Sequence, residues 1–133
     1  ALGRKLLTHV SDVMRSGDAV PRVDPDATFN ELMKQISAKS VGATAIVSPT
    51  NHVLGIFTDG DLRRLIEKGF DLRQVSAKEV MHTSPRTIRV NELAAMAAEM
   101  METHSITSIL VLDANDKLCG IVHISDLMRA KVI

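Results

Sequence analysis

The residues best placed to do chemistry lie in one stretch, Gly55-Ile56-Phe57-Thr58-Asp59-Gly60-Asp61-Leu62-Arg63-Arg64, where an apolar run ends in a glycine-containing turn and a helix starts. Thr58-x-x-Asp61 has the spacing of a capping box, in which a hydroxyl and a carboxylate satisfy the orphan amides of a helix start. The same pair suits a nucleotide. A carboxylate accepts hydrogen bonds from two vicinal ribose hydroxyls, while a hydroxyl and nearby helix-start amides meet a phosphate. The acid recurs 65 residues later as Asp126, which strengthens the ligand reading. Other chemistries fail on spacing. Gly55-x-x-x-x-Gly60 is followed by Asp61 where a phosphate-cradling P-loop needs Lys. Asp113-x-Asn115 opens like a calcium loop, but the glycine comes two positions late and no Glu closes the loop. His9, His52, His82, His104 and His123 are at least 19 residues apart, so no local metal-ligand spacing exists. Cys119 sits within an apolar run, where a free cysteine is a small hydrophobe. No nucleophile elbow is present.

These residues are positioned by an internal repeat. At the offset that relates Asp61 to Asp126, Gly55 meets Gly120, Ser40 meets Ser105 and Leu62 meets Leu127. Each copy opens with a Val-Met segment, Ser11-Asp12-Val13-Met14 and then Lys78-Glu79-Val80-Met81, the latter behind the capping box Ser76-x-x-Glu79. A helix follows. In copy one it carries Phe29, Leu32, Met33 and Ile36 behind Thr28-x-x-Glu31. In copy two it carries Leu93, Met96, Ala97, Met100 and Met101, with Asn91 the expected N-cap. The methionine-rich stripe reads as core facing a sheet. Two apolar runs then predict a hairpin, 43–47 with 53–57 and 108–112 with 118–122. A last helix carries Leu62, Leu65 and Ile66, or Leu127, Met128 and Val132, and Gly69 terminates the first of them. The fold class is therefore α/β, or α+β. Two motifs, 8–70 and 71–133, each form a small three-stranded sheet with flanking helices, and the two pack sheet to sheet to cover their open faces.

Composition narrows the function classes. At 133 residues, 45% hydrophobic and 24% charged, the chain can bury a core and is neither disordered nor a disulfide scaffold. Sixteen basic residues balance sixteen acidic ones, so no net charge drives counterion release from nucleic acid. Trp and Tyr are absent, which removes the usual stacking platforms for single strands. One cysteine allows no intrachain disulfide and suits an intracellular, cytoplasmic protein. No apolar run reaches a membrane span. The start, Ala1-Leu2-Gly3-Arg4-Lys5-Leu6-Leu7, has neither Met nor a signal pattern and reads as a piece of something longer.

The duplicated unit, with Val-Met, helix, hairpin and Gly-Ile-x-Thr-x-x-Asp-Leu, closely resembles the cystathionine-β-synthase (CBS) domain pair over residues 8 to 133. The resemblance implies two motifs packed through their sheets about a pseudo-two-fold axis. It also implies clefts between them that bind adenosine nucleotides or similar ligands and regulate an attached enzyme or transporter. The family's ribose and phosphate signature maps onto Thr58 and Asp61, with Asp59 beside them. In the second copy His123 replaces the Thr while Ser125 and Asp126 follow, and a protonated His123 there would contact an anionic ligand. Val41-Gly42-Ala43-Thr44 and Ile106-Thr107-Ser108 match positions that line the base pocket.

A narrower resemblance covers residues 55 to 64 and the opening Ala1 to Leu7. It is to bacterial D-arabinose 5-phosphate isomerases, in which a sugar isomerase (SIS) domain interconverts ribulose 5-phosphate and arabinose 5-phosphate. It implies that residues 1–7 join the pair to an upstream SIS domain, that the fragment itself catalyses nothing, and that the parent is a Gram-negative enzyme. It further implies that the pairs form homodimers within a higher oligomer, while the charge balance and the lack of a long apolar run leave neither nucleic acid nor membrane as partner. That family feeds synthesis of 3-deoxy-D-manno-octulosonate (Kdo). Its activated form CMP-Kdo carries a ribose, a phosphate and a carboxylate, which suggests end-product sensing, with AMP or ATP the family default. Asp61 or Asp126 would hold the ribose, and Arg63, Arg64, Arg86, His82 or His123 would meet the anionic groups. A ligand-free oligomerisation module is the alternative, and an independent enzyme is the third reading.

Overall fold

A computed structural model describes residues 7–133, so the expected joining segment lies outside the described residues except for Leu7. In chain order the elements are α1 (Val10–Val13), β1 (Arg22–Val23), α2 (Phe29–Lys39), β2 (Ala43–Val47), β3 (Val53–Thr58), α3 (Asp59–Glu67), α4 (Ala77–Val80), β4 (His82–Thr83), β5 (Thr87–Arg89), α5 (Ala94–His104), β6 (Ser108–Leu112), β7 (Leu118–His123) and α6 (Ile124–Arg129). They form two compact units, one of Pro21–Pro85 and one of the described residues up to Val20 with Arg86–Ile133. Both are mixed α/β, with sheets of four and three strands.

In the unit of Pro21–Pro85 the sheet order is β1-β2-β3-β4. Strand β2 is parallel to β1 and forms the predicted antiparallel hairpin with β3, which runs one residue further than expected, to Thr58. All five β2 residues are buried, as befits a strand covered on both faces. Helix α2 starts at its capping box, where the Thr28 amide donates to Glu31 at 2.9 Å and the Glu31 amide donates to Thr28 Oγ1 at 3.2 Å. Its apolar stripe puts Leu32 fully inside, with Phe29, Met33 and Ile36 packed around it and the Phe29 ring edge-on to Phe57 at 6.1 Å. Helix α3 ends as expected at Gly69, whose φ of +75° allows its amide to reach the Ile66 carbonyl at 3.0 Å while the Phe70 amide reaches Leu65 at 3.2 Å.

The other unit repeats this plan with β5 parallel to β6 and β6 antiparallel to β7. Helix α5 departs from expectation. Its N-cap is Leu93 rather than Asn91, because the Thr8 carbonyl accepts the Ala94 amide at 2.8 Å and the chain near residue 8 does the capping that a side chain was expected to do. The buried stripe is therefore Ala94, Ala97 and Met101, while Leu93 and Met96 are exposed. Ile66 and Met128, expected inside, also face solvent, whereas Leu62, Leu65, Leu127 and Val132 pack on their cores.

The Val-Met segments change partners. The second, Ser76 to Thr83, lies in the unit of the first hairpin. There Glu79 caps α4 by accepting from the Ser76 amide at 3.0 Å, and β4 adds a two-residue fourth strand against β3. The first lies on the second hairpin, where Arg15 and Ile121 exchange backbone hydrogen bonds of 2.9 and 3.0 Å. Each brings a methionine onto a strand glycine. A Cβ on Gly55 would stand 2.6 Å from Met81 Sδ, and one on Gly120 would stand 2.5 Å from Met14 Sδ.

Candidate functional site

The strand register assembles the first cluster of candidate residues. Ala43 lies opposite Thr58 and Thr44 opposite Phe57, so the start of β2 and the start of α3 are neighbours. The Asp59 amide donates to the Gly42 carbonyl at 3.0 Å. Gly42 has φ +66°, and any Cβ there would stand 2.8 Å from Asp59 Oδ2, so glycine is needed twice over at this junction. Val41, Ala43 and Thr44 are buried beneath it. Thr44 Oγ1 is itself buried with no hydrogen-bond partner among the described residues.

The capping box at α3 forms as its spacing predicts. The Thr58 amide donates to Asp61 Oδ2 at 2.9 Å, and the Asp61 amide donates to Thr58 Oγ1 at 3.2 Å. Capping does not exhaust the acid. Each carboxylate oxygen has two lone pairs, the side chain stays one-fifth exposed, and its other partner is the exposed Arg64, at 2.6 Å from Oδ1. Arg63 is exposed on the same helix, and His82 is exposed on β4, whose pairing places it opposite Ile56.

The second copy has the same layout with different chemistry. Ser108 lies opposite His123, and the Ile124 amide donates to the Thr107 carbonyl at 2.8 Å, as Asp59 does to Gly42. Ile106 packs against this unit's core, and Arg86 is exposed just before β5. His123 takes the place of Thr58. Its Nδ1 accepts the Ser125 amide at 3.1 Å and lies 2.7 Å from Ser125 Oγ. A ring nitrogen used as an acceptor carries no proton. Burial and then the nearby Arg15 charge lower the His123 pKa against the smaller opposing pull of Asp126. His123 is thus the N-cap of α6, with its Nδ1 turned to the Ser125 amide.

Asp126 is nearly sealed from solvent. Arg15 Nε donates to both its oxygens, at 3.2 and 3.1 Å, while Arg129 donates to Oδ1 at 3.1 Å and the His123 amide to Oδ2 at 3.0 Å. Burial alone would raise this carboxyl, but the Arg15 hydrogen bond, the His123 amide, the Arg15 charge and the Arg129 hydrogen bond together hold it below the usual carboxylate range. The spacing Asp126-x-x-Arg129 was there to be read, repeating Asp61-x-x-Arg64. Arg15, 111 residues away in sequence, carried no such signal. Elsewhere, burial pushes the Cys119 thiol up, and among the described residues no three His, Cys, Asp or Glu converge to hold a metal.

The pattern of the CBS domain matches residues 10–68 and again 77–133. The chain belongs to the CBS domain family. This CBS pair is 44% identical, over its whole length, to the arabinose 5-phosphate isomerase KdsD of Salmonella typhi, of which it spans 40%. Two solved structures share its fold. The CBS domain protein PAE2072 from Pyrobaculum aerophilum, complexed with AMP, has a TM-score of 0.79 at 22% identity, covering 90% of this chain and 89% of that one. The CBS domain pair of protein MJ0100, in complex with 5-methylthioadenosine and S-adenosyl-L-methionine, has a TM-score of 0.81 at 20% identity, covering 93% and 95%. No helix among the described residues of the CBS pair is long and apolar enough to cross a membrane.

Proposed function

We propose that this CBS pair is the regulatory module of a cytoplasmic D-arabinose 5-phosphate isomerase and that it senses a nucleotide or nucleotide sugar. One observation carries the reading. Asp61 is held by Thr58 at the junction of β3 and α3, with part of its carboxylate open and, among the described residues, only a solvent-exposed arginine as competitor. A carboxylate so fixed can accept two vicinal hydroxyls. The identity with KdsD supports the parent enzyme, and the adenosine compounds bound by PAE2072 and MJ0100 support the ligand class. Within that class AMP and ATP are the simplest candidates. CMP-Kdo adds the logic of end-product feedback, with Arg63 available for its anionic groups. Regulation then requires the ligand to favour one arrangement of the pair relative to the upstream isomerase domain, since equal binding to both would shift nothing.

Thermal unfolding against AMP, ATP, CMP and CMP-Kdo tests the reading. A ligand at one hundred times its dissociation constant adds about 2.7 kcal/mol of stability. Stabilisation by CMP-Kdo alone marks a feedback sensor, and stabilisation by adenylates marks an energy sensor. The second reading, a ligand-free assembly module, draws on Ile66 and Phe70 in one unit and Met128 and Ile133 in the other, all more than half exposed. Stability indifferent to all four compounds would favour it.

A further inference from the structure

The two copies place the same acid in opposite electrostatic situations. Asp61 keeps one-fifth of its side-chain surface, and its ion-pair partner Arg64 is 63% exposed and reaches it from one turn along the same helix. Asp126 keeps 4%, and beside the equivalent Arg129 it receives both of its oxygens' contacts with Arg15, itself only 25% exposed. The asymmetry traces to one position. Arg15 follows Met14, which sits on Gly120, and pairs with Ile121. In the other unit the residue that follows Met81 on Gly55 and lies opposite Ile56 is His82. The His82 ring is exposed and makes no hydrogen bond among the described residues, so nothing there reaches Asp61 as Arg15 reaches Asp126.

We propose that Arg15 closes the second copy's ribose position, so that the chain has one nucleotide site, at Asp61, and that the identity of residue 15 sets this stoichiometry. The inference rests on the nucleotide-sensor reading. The physical reason is a difference in what an incoming ribose must displace. At Asp61 two hydroxyls replace an exposed guanidinium that water resolvates, an exchange of small net effect. At Asp126 they would have to separate a charge pair whose acid is out of water, leaving a carboxylate with weaker, neutral donors in its place. The His123 cap points the same way, because Nδ1 is already occupied by the Ser125 amide.

Equilibrium dialysis of the 133-residue chain with radiolabelled AMP gives the direct test. One AMP per chain is expected, with affinity lowered about tenfold to a hundredfold by Asp61→Asn and within about twofold of wild type in Asp126→Asn. Two AMP per chain in the wild type, or binding that survives Asp61→Asn and is lost in a folded Asp126→Asn, overturns the proposal. A ligand-free double-mutant cycle reads the closure by itself. Arg15→Met with Asp126→Asn should couple by about tenfold or more in the unfolding constant, against about threefold or less for Arg64→Met with Asp61→Asn. The reverse order overturns the closure. Failure of AMP, ATP, CMP and CMP-Kdo alike to bind, with the coupling as expected, sinks the sensor reading and leaves Arg15 as a structural ion pair only.

Discussion

Arg15 Nε lies 3.2 and 3.1 Å from the two carboxylate oxygens of Asp126, joining the segment that opens the chain to the helix that ends it. The pair is formed by residues 111 apart in sequence, and it does structural work whatever the ligand is. Removing either partner leaves the other charge poorly solvated, so Arg15→Met or Asp126→Asn should each cost about 2 to 3 kcal/mol in urea unfolding at pH 7. The sign of the pH dependence follows from the lowered Asp126 pKa. The folded chain holds the proton less tightly than the unfolded chain, so this stability is present above about pH 4 and drains away as pH falls below it. Unfolding curves of Asp126→Asn should lack that acid-sensitive component.

His123 gives a second titration with a different window. Its pKa is lowered in the folded state, so the unfolded chain takes up the proton first and stability falls as pH drops below about 6.5. Thr at this position keeps the capping box with Asp126 and has nothing to titrate. His123→Thr should therefore flatten the difference between melts at pH 5.5 and pH 7.5, and an unchanged difference would show that other groups carry it.

Thr44 buries a hydroxyl with no partner among the described residues, and the equivalent residue of the second copy is Ile109, fully buried. An unpaired hydroxyl in an apolar site is a net cost, so Thr44→Val should raise stability by about 1 kcal/mol. A loss of stability would show that the hydroxyl has a partner, such as a buried water. If the same variant weakens AMP, the hydroxyl faces the ligand.

The methionine-on-glycine contacts predict a penalty that cannot be relieved by trimming the methionine. A Cβ on Gly120 meets Met14 Sδ at 2.5 Å and the Arg15 carbonyl oxygen at 2.9 Å. The side chain can swing away, but the carbonyl belongs to a backbone hydrogen bond with Ile121 and cannot. Gly120→Ala should cost about 2 kcal/mol or more, and Met14→Ala in the same chain should not restore it. Full recovery in the double variant would place the whole clash on the sulfur.

Much of this molecule was legible in its sequence. Local rules account for the hairpins 43–58 and 108–123, for the boxes at Thr28 and Thr58, and for the stop at Gly69, because each depends on residues within a few positions of one another. The repeat made the second copy readable from the first and exposed its deviation at His123. Three things were settled only by tertiary structure. The cap of α5 comes from the Thr8 carbonyl instead of Asn91. Each Val-Met segment joins the hairpin of the other copy, since a parallel or antiparallel partner is chosen by packing and not by chain proximity. The two aspartates, identical in motif, differ in burial and partners because Arg15 reaches one of them and His82 does not reach the other. A motif specifies the donors and acceptors that a residue brings with it. Whether they are still available to a ligand depends on what the rest of the chain folds against them.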